Sequence, residues 1–308
     1  MSATATRRSD RVCLTLLLEV SGTGNDGKSF AAPAHTLLIS RHGAVIVCDR
    51  VLSPDQRVLV QRTAQNDSHR KGMTRVIGQF GRRGSGFLYG IECLDNSVDL
   101  WGVEFPPFEK SEEAVARMLL ECTYCHSREV VYLDPLQLQS FEMNRGLARH
   151  CKTCDTPSIW VQASHEGVKS GARAASSHVS AAEADSNFPT EGPGKRDFPA
   201  NVRLKTRLTA CVRQPDTDDE LAVCEELSAA GLSFRSKRRY GESSRIAIAV
   251  PYADATANIF IPARVVKVEE IPSAGLFRHG TEYIKTASQE AENKAETPPD
   301  PVENLSQN

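Results

Sequence analysis

The sequence predicts a mainly β protein in which one small antiparallel barrel or sandwich is used twice, and three observations carry that reading. Short β-branched or apolar runs at 12–20, 36–39, 44–48, 57–62, 73–79 and 87–94 alternate with turn signals at 22–27, 41–43, 54–55 and 81–86. Such runs, with frequent turns and almost no helical periodicity, are the pattern of an all-β module. A second β-rich block, 198–286, repeats short matches from the first in the same order. Between the blocks stand two CxxC pairs, the mark of a metal-stapled insert.

Composition frames what these modules can do. A chain of 308 residues with 40% hydrophobic and 25% charged content has room for two or three domains, each with its own core. Its formal net charge of −2 provides no global attraction to polyanions, so any polyanion site must be local. The first twelve residues contain no apolar segment of signal-peptide type, and the longest apolar stretch, 13–20, is far short of the roughly 20 residues that span a bilayer. A cytoplasmic location without a membrane span is the expectation. Disulfides are rare there, so nine cysteines require another account.

After the first β-block, Ser111 can cap a helix that begins with Glu112 and Glu113, acidic residues suited to a helix N-terminus. Ala114, Val115, Met118 and Leu119 would share its apolar face. This helix is expected to pack on the barrel and lead into Cys122. Cys122 and Cys125, then Cys151 and Cys154, form a CxxC…CxxC pair separated by 25 residues. Two such turns bring four thiolates around one tetrahedral ion at Zn–S distances of about 2.3 Å. Strands at 130–133 and 159–161 and a helical turn at 137–143 would complete a ribbon-like insert. A closed four-cysteine site leaves no open coordination position, so the zinc ion would be structural. A redox reading would need a βαβ setting that this β-rich insert lacks. His126 and His150 flank the knuckles and are expected at the surface. Cys13, Cys48, Cys93, Cys211 and Cys224 lie in apolar runs and read as inert core thiols.

The segment GTGNDGKS at 22–29 matches both GxxxxGK[ST] and GxGxxG, and taken alone would suggest nucleotide hydrolysis. A phosphate loop must open a helix, however, and 30–36 contains Pro33 and runs into another strand. Asn25, Asp26 and Gly27 are hairpin residues. No other catalytic constellation stands out, and the expectation is a protein without enzymatic activity.

The two blocks correspond in detail. Arg7, Arg8 and Arg11 precede Ser40 and Gly43 in the first; Arg203 and Arg207 precede Ser228 and Gly231 in the second. Ser40 lies 35 residues before Arg75, and Ser228 lies 36 before Arg264. These residues resemble the PilZ domain family, whose pattern is RxxxR before the first strand and [D/N]xSxxG at a later turn. The similarity covers roughly 7–106 and 200–286. The resemblance implies two six-stranded antiparallel barrels and a receptor for cyclic di-GMP that performs no chemistry on it. It also implies a ligand set of Arg7, Arg8, Arg11, Ser40 and Gly43 in one copy and Arg203, Arg207, Glu226, Ser228 and Gly231 in the other. Guanidinium forks grip phosphates and stack on guanine, while a short acceptor takes guanine N–H donors. Both copies depart from the pattern at the acidic position, which is Leu38 in the first and Glu226 in the second. Leu38 would leave guanine donors unpaired at about 1–3 kcal/mol each, so the second copy is favoured as the receptor.

The expected organisation is a first barrel at 7–106, a helix with the four-cysteine insert at 111–162, a disordered linker at 163–197, a second barrel at 198–286 and a disordered tail at 287–308. The expected role is signalling by ligand-induced rearrangement, with a protein partner downstream. Two alternatives stand beside it. One is nucleic-acid binding by the zinc ribbon with Arg145, Arg149 and Lys152. The other is a scaffold whose barrels have lost nucleotide binding.

Overall fold

The computed structural model describes residues 10–24, 27–64, 67–107, 114–166, 203–215 and 217–284. Arg7 and Arg8, the helix cap at Ser111, most of the expected linker and the C-terminal tail lie outside the described residues.

The first block opens with β1 (Val12–Cys13) and continues with β2 (Leu17–Thr23), β3 (Ser29–Ser40), β4 (Gly43–Cys48), β5 (Arg57–Arg62), β6 (Lys71–Arg83) and β7 (Gly86–Cys93). Side chains alternate across each strand, so Leu18 and Val20 of β2 are buried while Leu17 and Glu19 face out. Antiparallel pairings join β3 to β2, β2 to β5, β5 to β6, β6 to β7, β7 to β4, and β4 back to β3. That circuit is a closed six-stranded barrel, which leaves no free edges. The segment that mimics a phosphate loop is the β2–β3 hairpin, closed by Gly27 N–H donating to Gly24 O at 2.9 Å, and Pro33 sits within β3.

A five-stranded sheet follows, made of β8 (Val103–Glu104), β9 (Ala116–Cys122), β10 (Arg128–Leu133), β11 (Leu147–Cys151) and β12 (Thr156–Gln162), in the order β11-β12-β9-β10-β8. Helix α1 (Pro135–Asn144) lies between β10 and β11. Its start is dictated locally: Asp134 and Gln137 form a reciprocal capping box, and Pro135 occupies the first turn. The expected helix through Met118 and Leu119 is corrected here, because these residues belong to strand β9. Both faces of β9 are covered. Met118 and Leu120 join the core of the second block, while Leu119 joins that of the first. A strand buried on both sides loses its alternation and reads as a continuous apolar run.

The second block comprises β13 (Leu204–Arg213), β14 (Glu220–Leu227), β15 (Leu232–Ser236), β16 (Arg245–Ala249), β17 (Asn258–Ile259), β18 (Ile261–Ile271) and β19 (Leu276–Tyr283). Six of these close a barrel in the order β13-β14-β15-β19-β18-β16, the same circuit as the first. One fold is used twice.

The two blocks are stitched together through the middle of the chain. Strand β1 pairs with β17, Ala257 N–H donates to Ala163 O at 2.7 Å, and Ser164 bridges Thr256. Residues 163–166, which composition assigns to the linker, therefore pack. Glu166 meets the fully buried Arg62, which also bonds Asp67 and Trp101 O at 2.9 Å each. Without Glu166 the buried guanidinium keeps Asp67 and loses one charged hydrogen bond. Glu166→Gln is accordingly expected to lower the unfolding free energy by about 2 kcal/mol in denaturant titration.

A buried imidazole, His279, and a half-buried one, His165, make a further stability prediction. His279 Nε2 accepts from Tyr240 N–H and His165 Nδ1 accepts from Thr15 N–H, both at 3.1 Å. Burial lowers both pKa values from the ordinary 6.5, so the folded chain keeps these rings neutral. Below about pH 6.5 the unfolded chain takes up protons that the folded one refuses, so stability falls as pH drops through that window. The melting temperature should decline between roughly pH 7 and 5.5, with a shallower slope in His279→Gln.

Candidate functional site

Register makes the two barrels comparable residue by residue. Ser40 Oγ donates to Gly43 O at 3.1 Å, and Ser228 Oγ donates to Gly231 O at 2.9 Å. A Cβ on Gly43 would lie 2.1 Å from Ile91 O, and one on Gly231 would lie 2.1 Å from Thr281 O. Only glycine permits that approach. Arg75 pairs with Glu92 at 2.6 Å, as Arg264 pairs with Glu282 at 3.0 Å. Strands β3 and β14 carry matching bulges, between Thr36 and Leu38 and between Cys224 and Glu226. Leu38 and Glu226 thus hold one position, as the spacing predicts.

The arginines correspond differently from the sequence reading. Val12 pairs with Ile39, and Leu204 pairs with Leu227, which places Arg11 in the position of Arg203. Leu17 pairs with His35, and Thr209 pairs with Val223, which places Thr15 in the position of Arg207. The cause is hairpin length. Val20 pairs with Ala32 whereas Val212 pairs with Glu220, so the first β2–β3 hairpin is four residues longer than β13–β14.

In the second barrel the predicted residues converge. Arg203 and Arg207 line a cavity of about 580 Å³ together with Glu226, and an adjoining cavity of about 270 Å³ is lined by Arg203, Glu226, Ser228 and Gly231. The larger volume lies in the range of small-molecule sites, about 300–1,000 Å³. Lys205 pairs with Glu226 and Leu208 with Cys224, so Thr206 and Arg207 together oppose Glu225 in a β-bulge. A bulge re-aims side chains, and this one leaves Arg207 exposed beside the cavity. Arg203 Nη1 bonds Glu226 Oε2 at 3.3 Å, so a ligand that uses either group must open this exposed pair. Six cationic and three carboxylate side chains line the larger cavity, a formal excess of +3 in a chain of net charge −2. Six of the charged residues, Lys205, Glu225, Arg235, Lys267, Glu269 and Arg278, were not singled out in the sequence. Outward-facing charges on a strand look like an ordinary solvated face, and only the register against the first copy marks them.

The matching wall of the first barrel is apolar. Leu37, Leu38, Val45 and Leu88 occupy positions held by Glu225, Glu226, Ser233 and Arg278. The Phe80 ring lies against Gly90, where a Cβ would be 2.5 Å from Cε2; at the matching Gly280 the nearest atom is Lys267 Cβ at 3.6 Å. At the position of Arg207, Thr15 bonds the chain itself: its N–H donates to His165, and its carbonyl accepts from Glu166 N–H at 3.0 Å.

The four cysteines of the central sheet also converge. Their sulfurs all lie within 4.8 Å of one another, with Cys125 3.5 Å from Cys151 and Cys122 4.0 Å from Cys154. Those spacings far exceed an S–S bond, about 2.05 Å, and suit the ~3.8 Å edge of a tetrahedron with metal–sulfur bonds near 2.3 Å. In each knuckle the residue after the second cysteine is left-handed, His126 at φ 60° and Asp155 at φ 53°. Burial opposes ionisation of Cys122, but N–H groups of Cys125 and Tyr124 and the Ser158 hydroxyl overcome it and hold the thiol at about 6. The cluster can hold a metal ion. His126 and His150 face solvent and pair with Glu121 and Asp155. Burial pushes the other thiols up, Cys93 and Cys211 to about 11 and Cys224 to about 12, with Cys13 and Cys48 raised as well.

Two of the basic residues near the knuckles are paired with carboxylates, and Arg145 is exposed. Arg149 pairs with Glu129 at 3.2 Å and stacks on Trp160, Lys152 pairs with Glu104, and Arg145 is the left-handed cap of α1. Among the described residues no helix is long and apolar enough to cross a membrane.

No family model matches the chain, and no curated protein matches it. It is similar to several solved structures. The inhibitor of motility MotI/DgrA of Bacillus subtilis is 11% identical over 93% of each chain, with a TM-score of 0.23. The PilZ domain of YcgR from Escherichia coli, solved with c-di-GMP, is 15% identical over 32% of this chain and 96% of its own, with a TM-score of 0.23. The PlzA protein of Borreliella burgdorferi, in complex with c-di-GMP, is 8% identical over 91% of this chain and 86% of its own, with a TM-score of 0.23.

Proposed function

We propose that this chain is a PilZ-like receptor that binds cyclic di-GMP on its second barrel and signals by rearrangement, without chemistry on the ligand. The observation that carries this reading is the convergence of Arg203, Arg207 and Glu226 on one cationic cavity, with Ser228 and Gly231 in the cavity beside it. The two arginines clamp phosphate, Glu226 accepts guanine N–H groups, and the Ser228–Gly231 turn presents backbone. The first barrel serves as a partner for assembly, its arginine position taken up by the joint at Thr15.

A route from ligand to the rest of the chain runs through the bulge. Thr206, one residue before Arg207, donates to Glu142 Oε1 of α1 at 3.1 Å. Closing the arginine segment over a ligand moves this contact, and α1 packs on the sheet that carries the cysteines. The four thiolates hold a structural zinc ion, which fixes that sheet between the barrels.

Calorimetric titration of the full chain with cyclic di-GMP should give saturable heat at tens of micromolar protein. Arg207→Ala should weaken binding about tenfold or more, the worth of a charge-assisted hydrogen bond. Absence of heat from the wild type would remove the receptor role. Metal analysis of the purified chain should find about one zinc per chain, and Cys151→Ser should lose it along with thermal stability; a metal-free wild type of unchanged melting temperature would contradict the assignment.

A further inference from the structure

The charged residues that the sequence did not mark form a unit of their own. Arg235 on β15 and Arg278 on β19 are direct cross-strand partners. Like charges placed opposite each other destabilise a sheet. The first barrel holds the same rung with Val47 opposite Leu88, an apolar pair of the kind that stabilises strands. The fold therefore does not require arginines here.

Glu225 keeps the two guanidiniums in place. Its Oε1 is 2.7 Å from Arg235 Nε, and its Oε2 accepts from Arg278 Nε at 2.8 Å. Both contacts fall at Nε, next to the aliphatic stem, as a hydrogen bond for Arg278 and an ion pair for Arg235, so Glu225 does not take up the terminal nitrogens of either fork. Arg278 Nη1 stands 3.8 Å from Glu269 Oε2, beyond hydrogen-bonding distance. All three residues line the same cavity as Arg203 and Arg207. In the first barrel, Glu225, Arg235 and Arg278 are replaced by Leu37, Val47 and Leu88, and Arg207 by Thr15. The sheet arginines and the clamp arginine differ between the copies as one set.

We infer that Arg235 and Arg278, positioned by Glu225, are a second anion clamp that takes the second phosphate of a two-phosphate ligand. The inference rests on the cyclic di-GMP reading and names the residues that make the site select a dinucleotide over a mononucleotide. Arg203 and Arg207 grip one phosphodiester from the strand β13 side, and the sheet pair grips the other. Glu225 acts through the two arginines and is a positioning residue.

The test introduces the first barrel's own rung, Arg235→Val with Arg278→Leu, and titrates cyclic di-GMP and GMP into the full chain. The expected result is a loss of cyclic di-GMP affinity of about tenfold or more, a narrowed preference over GMP, and a melting temperature equal to or above that of the wild type. Glu225→Gln separates positioning from bulk charge. It adds one positive charge to the cavity, so a purely electrostatic role would tighten binding, whereas loss of positioning weakens it. Wild-type affinity in the double variant would overturn the clamp while leaving the receptor reading intact. A silent wild type would overturn both.

Discussion

Cations gathered on one wall of a β-barrel repel one another, and folding gains nothing from holding them there. The second barrel nevertheless places six cationic groups against three carboxylates around a single cavity. Its Glu225 and Glu269 are spent on holding arginine and lysine side chains, and Glu226 on Arg203. The Arg203–Glu226 and Lys267–Glu269 pairs are exposed enough for water to screen them, while Glu225 and Arg235 are half-buried. An anion that enters replaces that screening with directed hydrogen bonds, and this is the source of affinity in the present account.

The duplicated barrel acts as an internal control. Strand circuit, bulges, the Ser-x-x-Gly turn and the arginine–glutamate pair beside it are shared by both copies. What differs is the outer wall, charged in one copy and apolar in the other, and the leading strand. In the second copy β13 pairs with β14 up to Leu204 and carries its arginines to the cavity. In the first, the matching stretch is β1, which pairs with β3 at Val12–Ile39 and also with β17. On the proposed reading, the leading strand serves ligand capture in the second barrel and assembly in the first.

How much of this was legible in the sequence depended on the range of the forces involved. The serine–glycine turns and the four cysteines were readable because a single atom decides them: a Cβ at Gly231 would collide with a carbonyl, and a knuckle needs two thiols at fixed spacing. Helix α1 was expected only as a helical turn at 137–143, and the cap at Asp134, Pro135 and Gln137 extends it to Pro135–Asn144. Strand β9 was misread as helix because Met118 and Leu119 are buried on opposite faces, which no local pattern discloses. The arginine alignment slipped by four positions because the longer hairpin accounts for only part of the difference in spacing. Arg235 and Arg278 were invisible because their meaning lies in a cross-strand rung.

On the proposed reading, the outer wall of the second barrel alone receives the nucleotide. Backbone amide NMR of the full chain during titration with cyclic di-GMP tests it most directly. Perturbed signals should cluster at Arg203–Arg207, around Ser228–Gly231 and on the β15–β19 rung, and leave the Ser40–Gly43 turn of the first barrel unmoved. Shifts centred on the first barrel, or none anywhere, would contradict it.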